Sequence, residues 1–289
     1  MLDALIVGAG PAGVSCALQA RRDGLDALLV GDEPTGGLLT TARRLDNLPG
    51  NLGISGPDLA RRLAAELEER GATARTARVV ALSPLPAGGF RARLEDGARL
   101  EARAACLATG TRPRPLPAWA AAAAARWPGR LVREARALPA RLSGARVVVV
   151  GGGEAALDGA LWARDRGAEV ELLARAPRLR APAALGAEAE ARGVRLRTGT
   201  EVVACAPEAG RDALGITCGD GRRVPADHLL VCIGREPRDE LLPGLGDPLP
   251  PGVFLAGDVQ NGRARYAALA MADGVRAALA VRDFLEVRR

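Results

Sequence analysis

Residues 4–13 read Ala4-Leu5-Ile6-Val7-Gly8-Ala9-Gly10-Pro11-Ala12-Gly13. A short apolar run enters a Gly-x-Gly-x-x-Gly turn, and helical periodicity then continues to Arg22. A strand, turn and helix of this kind bring backbone N–H groups and a helix N-terminus up to a pyrophosphate. Each glycine has its own task. Gly8 makes the tight turn, Gly10 lets the backbone approach the phosphates, and Gly13 lets helix and strand pack closely. A second apolar run, Ala27 to Val30, ends at Asp32-Glu33, an acidic pair about 20 residues past the turn. Carboxylates there accept hydrogen bonds from ribose hydroxyls. The reading is a dinucleotide site, and an ordinary glycine-rich loop is its alternative.

The pattern recurs at Arg146-Val147-Val148-Val149-Val150, which enters Gly151-Gly152-Gly153-Glu154-Ala155-Ala156 and a helical stretch to Arg166. Val170 to Leu173 is its second apolar run. Two βαβ units imply an α/β chain with two parallel sheets. Gly151, Gly153 and Ala156 hold the three key positions of the second turn, but no acid ends its second strand. Leu173-Ala174-Arg175-Ala176-Pro177-Arg178-Leu179-Arg180 stands there instead. A 2′-phosphate repels carboxylate and attracts guanidinium, so Arg175, with Arg178 or Arg180, favours NADP over NAD. A solvated basic loop is the alternative.

Between the turns, Pro57 to Arg70 predicts an amphipathic helix with Leu59, Leu63 and Leu67 on one face. Phe90 to Leu94 and Arg99 to Arg103 flank Asp96-Gly97 as a hairpin, and Ala104 to Ala108 reads as a further strand ending at Thr109-Gly110. Ala118 to Ala125 predicts a surface helix without chemistry. The proline-bearing crossings Thr111 to Pro117 and Gly234 to Pro237 bracket the second βαβ unit. They place one domain at 113–235, inserted in another built from 1–112 and 236–289.

Apolar residues make up 48 % of the 289, and the aromatics are three Phe, three Trp and one Tyr, so the cores must be built from Ala, Val and Leu. Net charge is +6. The arginines are spread along the chain with no basic run interleaved with aromatics, which argues against nucleic acid and reads as a general Arg and Ala bias; an acidic partner such as a small redox protein is the alternative. Five cysteines, with no Cys-x-x-Cys pair, argue against a disulfide framework and a structural zinc site, and no metal site is expected. Cys16 reads as a buried helix residue; its place after the phosphate turn, where a helix N-terminus can lower a thiol pKa, makes a reactive thiol the alternative. His228, the one histidine, reads as structural. No signal peptide precedes the first strand and no apolar run reaches spanning length, so a soluble, cytoplasmic chain without a membrane partner is expected.

The motifs together resemble the low-molecular-weight thioredoxin reductase family over nearly the full length. They are Gly8 to Gly13, Gly36-Gly37 leading to Leu45-Asp46-Asn47-Leu48-Pro49-Gly50, Ala108-Thr109-Gly110, Gly151 to Ala156, Ile233-Gly234, and Gly252 to Asp258. The resemblance implies two Rossmann-like dinucleotide-binding domains, each a three-layer ββα arrangement, in a homodimer. It implies FAD on Gly8, Gly10, Pro11, Ala12, Gly13, Asp32, Glu33, Gly36, Gly37, Leu38, Asn47, Ala77, Thr109, Gly110, Gly257, Asp258, Arg265, Tyr266 and Ala267. It implies NADPH, with NADH as the alternative donor, on Gly151, Gly153, Glu154, Ala155, Arg175, Arg180, Ile233 and Gly234.

Departures from the family decide the expected function. Its Cys-x-x-Cys falls here on Glu134-Ala135-Arg136-Ala137, and no cysteine lies between Cys106 and Cys205. A flavin cannot reach thioredoxin through a disulfide relay without those thiols. Leu38 and Tyr266 replace family glutamines. The chain ends at Arg289 without the flavin-stacking extension of thioredoxin-reductase-like ferredoxin–NADP reductases. The expectation is therefore an FAD-dependent NADPH oxidoreductase that passes electrons directly to a ferredoxin, a flavodoxin or a small molecule. No side chain is assigned as catalytic, and Tyr266 is a candidate flavin neighbour. One alternative is an FAD-binding protein with a vestigial nicotinamide site, acting as a binding or regulatory module; another is a thiol-dependent reductase using Cys16.

Overall fold

The structure, a computed structural model, describes residues 1–208 and 212–288. The chain runs β1 (Leu2–Val7), α1 (Pro11–Arg22), β2 (Ala27–Gly31), α2 (Gly56–Glu69), β3 (Thr73–Thr76), β4 (Val79–Pro84), β5 (Phe90–Leu94) and β6 (Arg99–Leu107). It continues through β7 (Thr111–Pro113), α3 (Ala118–Arg126), β8 (Leu131–Val132), β9 (Arg146–Val150), α4 (Glu154–Asp165), β10 (Glu169–Leu173), α5 (Ala183–Ala191) and β11 (Arg195–Arg197). Last come β12 (Val202–Pro207), β13 (Leu214–Cys218), β14 (Arg223–Ala226), β15 (His228–Val231), β16 (Arg235–Pro237), β17 (Val253–Leu255) and α6 (Ala267–Glu286). Two compact units result. Unit 1 comprises Met1–Thr40, Leu45–Arg112 and Glu236–Arg289, and unit 2 comprises Thr41–Arg44 and Pro113–Arg235.

In unit 1, β3, β2, β1, β6 and β17 form a parallel sheet, which β5 and β4 extend as an antiparallel meander. Alternation along β1 sends Ala4 and Ile6 to one face and Leu5 and Val7 to the other. The first face carries α1, α2 and α6, with Leu59, Leu63 and Leu67 of α2 buried as their spacing predicts. Burying each such leucine contributes about 2 kcal/mol. Ser55 caps α2, its hydroxyl oxygen accepting from the Asp58 amide at 3.2 Å. Small residues bring α1 and α6 together: a Cβ on Gly274 would lie 2.0 Å from the Ala12 carbonyl oxygen. On the second face, Leu5, Val7 and Val30 pack against Val79, Leu82, Phe90 and Leu94 from the meander. The layers are therefore meander, sheet and helices.

One expectation fails here. Arg99 to Arg103 and Ala104 to Ala108 are not two strands but the single strand β6. No turn residue separates them, and the strand changes partners along its length. Its first part pairs antiparallel with β5, and its last residues pair parallel with β1 and β17.

Unit 2 has a parallel sheet in the order β11-β10-β9-β15-β8. Val147, Val149, Val170 and Leu172 pack against α4 on one face. Val148, Leu173 and Leu229 pack on the other against Leu214, Ile216 and Val224 of the β12–β14 sheet. The helix α3 also belongs to this second face. It is the expected surface helix, with Ala118, Ala121, Ala122 and Ala125 exposed, and it packs through the buried Ala120 and Ala123, whose methyl side chains permit close approach. The crossings pair with each other as a ribbon of β7 and β16.

Candidate functional site

The first glycine turn leaves β1 where the Gly8 amide donates to the Val30 carbonyl at 2.7 Å. Its glycines answer to different constraints. Gly8 has φ +111°, and a Cβ there would lie 2.2 Å from the Ala108 carbonyl oxygen. A Cβ on Gly13 would lie 1.8 Å from the Gly8 oxygen. The protein itself therefore demands both. Gly10 caps α1 with an ordinary φ of −74°, and a Cβ there would meet nothing within 4 Å. No protein atom demands a glycine at Gly10, and the space beside it is open. A pyrophosphate fits, since the first amides of α1 have no intrahelical acceptors.

That space opens into a cleft of about 330 Å³ within unit 1. Gly8, Gly10, Pro11, Ala12, Asp32, Glu33, Gly37, Leu38, Ala77, Thr109, Gly110 and Asp258 line it, so these predicted residues come together. Gly13, Gly36, Asn47, Gly257, Arg265, Tyr266 and Ala267 are not among its lining. Gly36 instead meets α2, where a Cβ would lie 2.4 Å from that of Ala60, and Gly257 packs on Ala12. Asn47 is exposed. Asp258 stands in a 3-10 turn, Gly257–Val259, separate from the long helix α6. The entrance is at Tyr266, the N-cap residue of α6, which is 40 % exposed.

The sequence reading missed the basic side of this cleft, where Arg78, Arg112 and Arg238 join the lining. Arg238 spans the acidic pair, with Nη2 donating to Glu33 Oε1 at 3.1 Å and Nη1 3.5 Å from Asp32 Oδ1. Its backbone is held by the Ala-Thr-Gly motif. The Thr109 hydroxyl donates to the Arg238 carbonyl at 2.6 Å, and the Arg238 amide donates to the Gly110 carbonyl at 3.0 Å. No spacing rule links positions 33 and 238, which meet only because the chain returns to unit 1.

The second turn repeats the logic inside unit 2. Gly151 has φ +147°, with a Cβ placed 2.2 Å from the Cys232 carbonyl oxygen, whereas a Cβ on Gly153 would meet nothing within 4 Å. Glu154 and Ala155 open α4. The Arg180 amide donates to the Gly152 carbonyl at 2.7 Å, tying the basic loop to the turn. Arg175 is 81 % exposed, and its Nη1 lies 3.8 Å from Glu201. Ile233 packs in the core below, and Gly234 takes φ +109°. Space at Gly153, and a basic loop tied to the turn at Gly152, fit a phosphorylated dinucleotide.

None of the cysteines is paired. Cys16 is buried; its thiol interaction with Cys106 and then burial push its pKa well up, opposite to what a helix N-terminus alone would do. Burial bears out the reading of Cys16 as a buried helix residue and runs against its use as a reactive thiol. Burial likewise pushes Cys232 up to about 12. The 134–137 window forms a 3-10 turn over Ala135–Ala137, with Ala135 buried and Glu134 paired to Arg235 at 3.1 Å.

The sequence pattern of the pyridine nucleotide-disulphide oxidoreductases matches residues 2–274, across both glycine turns. The chain belongs to that family. Within it the chain is thioredoxin reductase-like. It is 28 % identical to the bifunctional thioredoxin reductase/thioredoxin of Mycobacterium leprae, over 96 % of this chain and 64 % of that protein. It is 35 % identical to the ferredoxin–NAD(+) reductase component of the Paraburkholderia xenovorans biphenyl dioxygenase system, over 58 % of this chain and 46 % of that protein. The chain thus spans less than two thirds of the length of these curated relatives. The crystal structure of Lactococcus lactis thioredoxin reductase shares the fold, with a TM-score of 0.88 at 22 % identity, covering 99 % of this chain and 100 % of that one. Among the described residues, no helix is long and apolar enough to cross a membrane.

Proposed function

We propose that this family member is an FAD-dependent NADPH oxidoreductase that hands electrons on without a redox disulfide. One observation carries the reading: the sequence has no Cys-x-x-Cys, and the 134–137 window is a packed turn of Glu, Ala, Arg and Ala. In unit 1 the turn Gly8 to Gly13 would seat the FAD pyrophosphate, Asp32 and Glu33 would accept from its ribose, and Asp258 would lie along its length. In unit 2 Gly151 and Gly153 would seat the NADPH pyrophosphate, with Arg175 and Arg180 beside the 2′-phosphate. When bound, FAD supplies a hydride acceptor that releases electrons singly or in pairs.

The net charge of +6 suits an acidic redox protein as acceptor, and the likeness to a ferredoxin reductase component supports that choice. A homodimer in the cytoplasm completes the proposal. The test is anaerobic stopped-flow mixing of the FAD-loaded protein with NADPH and NADH. NADPH is expected to bleach the flavin faster than NADH, and the reduced protein to give no turnover with oxidised thioredoxin. Failure of both nucleotides to bleach would leave an FAD-binding module, and turnover with thioredoxin would overturn the disulfide-free route.

A further inference from the structure

We infer that Arg238 is a positioning residue of the unit 1 dinucleotide site, holding Asp32 and Glu33 for a ribose diol and offsetting their charge beside a pyrophosphate. The inference rests on FAD being the ligand of that cleft.

Adjacent carboxylates repel one another and repel phosphate, so an acidic pair at the end of β2 needs a cation if a pyrophosphate is to sit nearby. Among the described residues, Arg78 and Arg238 both reach it. Arg78 Nε is 4.0 Å from Asp32 while its Nη1 is 3.8 Å from Glu95, and the side chain is 59 % exposed. Solvent screens such a shared, exposed contact. Arg238 is 33 % exposed and engages both members of the pair. A guanidinium fork suits this bridging, because its donors lie in one plane at fixed angles.

The backbone around Arg238 is fixed independently of its side chain. The Thr109 hydroxyl donates its proton to the Arg238 carbonyl, and Gly110 accepts the Arg238 amide. Thr109 and Gly110 themselves line the cleft. The Ala-Thr-Gly motif therefore serves the acidic pair through Arg238, and Thr109 acts as an anchor rather than as a hydroxyl donor to the ligand.

The test is FAD titration of apoprotein by flavin fluorescence, for wild type, Arg238→Ala, Arg238→Lys, Glu33→Gln and the double variant Arg238→Ala/Glu33→Gln. Arg238→Ala is expected to weaken FAD binding by about 10-fold, the usual scale for one charge-assisted contact. Arg238→Lys should recover part of that loss by restoring the charge without the fork. The double variant should lose less than the sum of the two singles, because Arg238 acts through Glu33. A merely structural arginine would give additive losses and would lower the thermal midpoint of the apoprotein in step. Unchanged or tighter binding by Arg238→Ala, or strict additivity, overturns the inference. Wild type that fails to bind FAD overturns the FAD reading itself, and this assignment with it, before any variant is compared.

Discussion

Gly10→Ala separates a glycine kept for a ligand from one kept for the fold. Gly10 has φ −74° and ψ −179°, which alanine adopts freely, and a methyl group there meets no protein atom within 4 Å. Alanine is a poorer helix N-cap than glycine, but it also has less freedom to lose on folding, an offset of about 0.4–1 kcal/mol. The apoprotein should therefore change by no more than about 0.5 kcal/mol, or about 1–2 °C in thermal midpoint. Gly13→Ala is the control. Its Cβ would stand 1.8 Å from the Gly8 carbonyl oxygen, so turn or helix must move, at a cost of about 3 kcal/mol or more. With ligand the order reverses. The Gly10→Ala methyl would enter the space where, on the proposed reading, a pyrophosphate would meet the first amides of α1. Losing one such amide-to-phosphate bond costs about 1.5–3 kcal/mol, or about 10- to 100-fold in Kd. Apoprotein calorimetry and FAD titration read the two halves of the argument. Gly10→Ala binding FAD as tightly as wild type, or melting as early as Gly13→Ala, would refute it.

Arg175→Ala should reduce kcat/KM for NADPH by about 10-fold and leave NADH within about 2-fold, because only NADPH carries the phosphate that this guanidinium would face. Equal losses with both nucleotides would place Arg175 outside that role. In the native protein at a pH of about 8, iodoacetamide should leave the buried Cys16, Cys106 and Cys218 and the high-pKa Cys232 unmodified, while unfolding exposes all five thiols; peptide mass spectrometry reads the difference. The hydrogen bonds from Arg146 hold the Asp227 carboxyl below the usual carboxylate range. A depressed pKa stabilises the fold above the ordinary aspartate range and loses that effect as pH falls through the lowered value. Arg146→Ala should therefore be destabilised against wild type at neutral pH and less so near pH 3, as urea midpoints would report; an equal gap at both pH values would refute the linkage.

Both βαβ units were legible because strand period, glycine spacing and helical period are local signals. The amphipathic helix was legible for the same reason: Leu59, Leu63 and Leu67 share one face whatever lies opposite. The second parallel sheet and the inserted segment followed from where the two motifs stood relative to the proline crossings. Local signals misled where two neighbours shared one strand. Nothing around Arg103-Ala104 distinguishes a strand that changes partners from two strands in sequence. The alanine tract is the surface helix its sequence suggests, but alanine carries too little hydropathy contrast to mark Ala120 and Ala123 as its buried face. For Cys16, the reading as a buried helix residue holds, while its contact with Cys106 on β6, which raises the thiol pKa, is not local and was not legible.

Alone, the sequence determined that two strand-turn-helix phosphate motifs exist, that the second ends in arginine rather than acid, and that no redox thiol pair accompanies them. Those are statements about residue type and spacing along one dimension. The tertiary structure decided which glycine keeps space open and which only fills it, because that depends on atoms brought from elsewhere: Ala108 against Gly8, and nothing against Gly10. It also decided that the acidic pair at Asp32 and Glu33 is bridged by Arg238, whose return to the same unit is a property of the folded chain and of no shorter stretch.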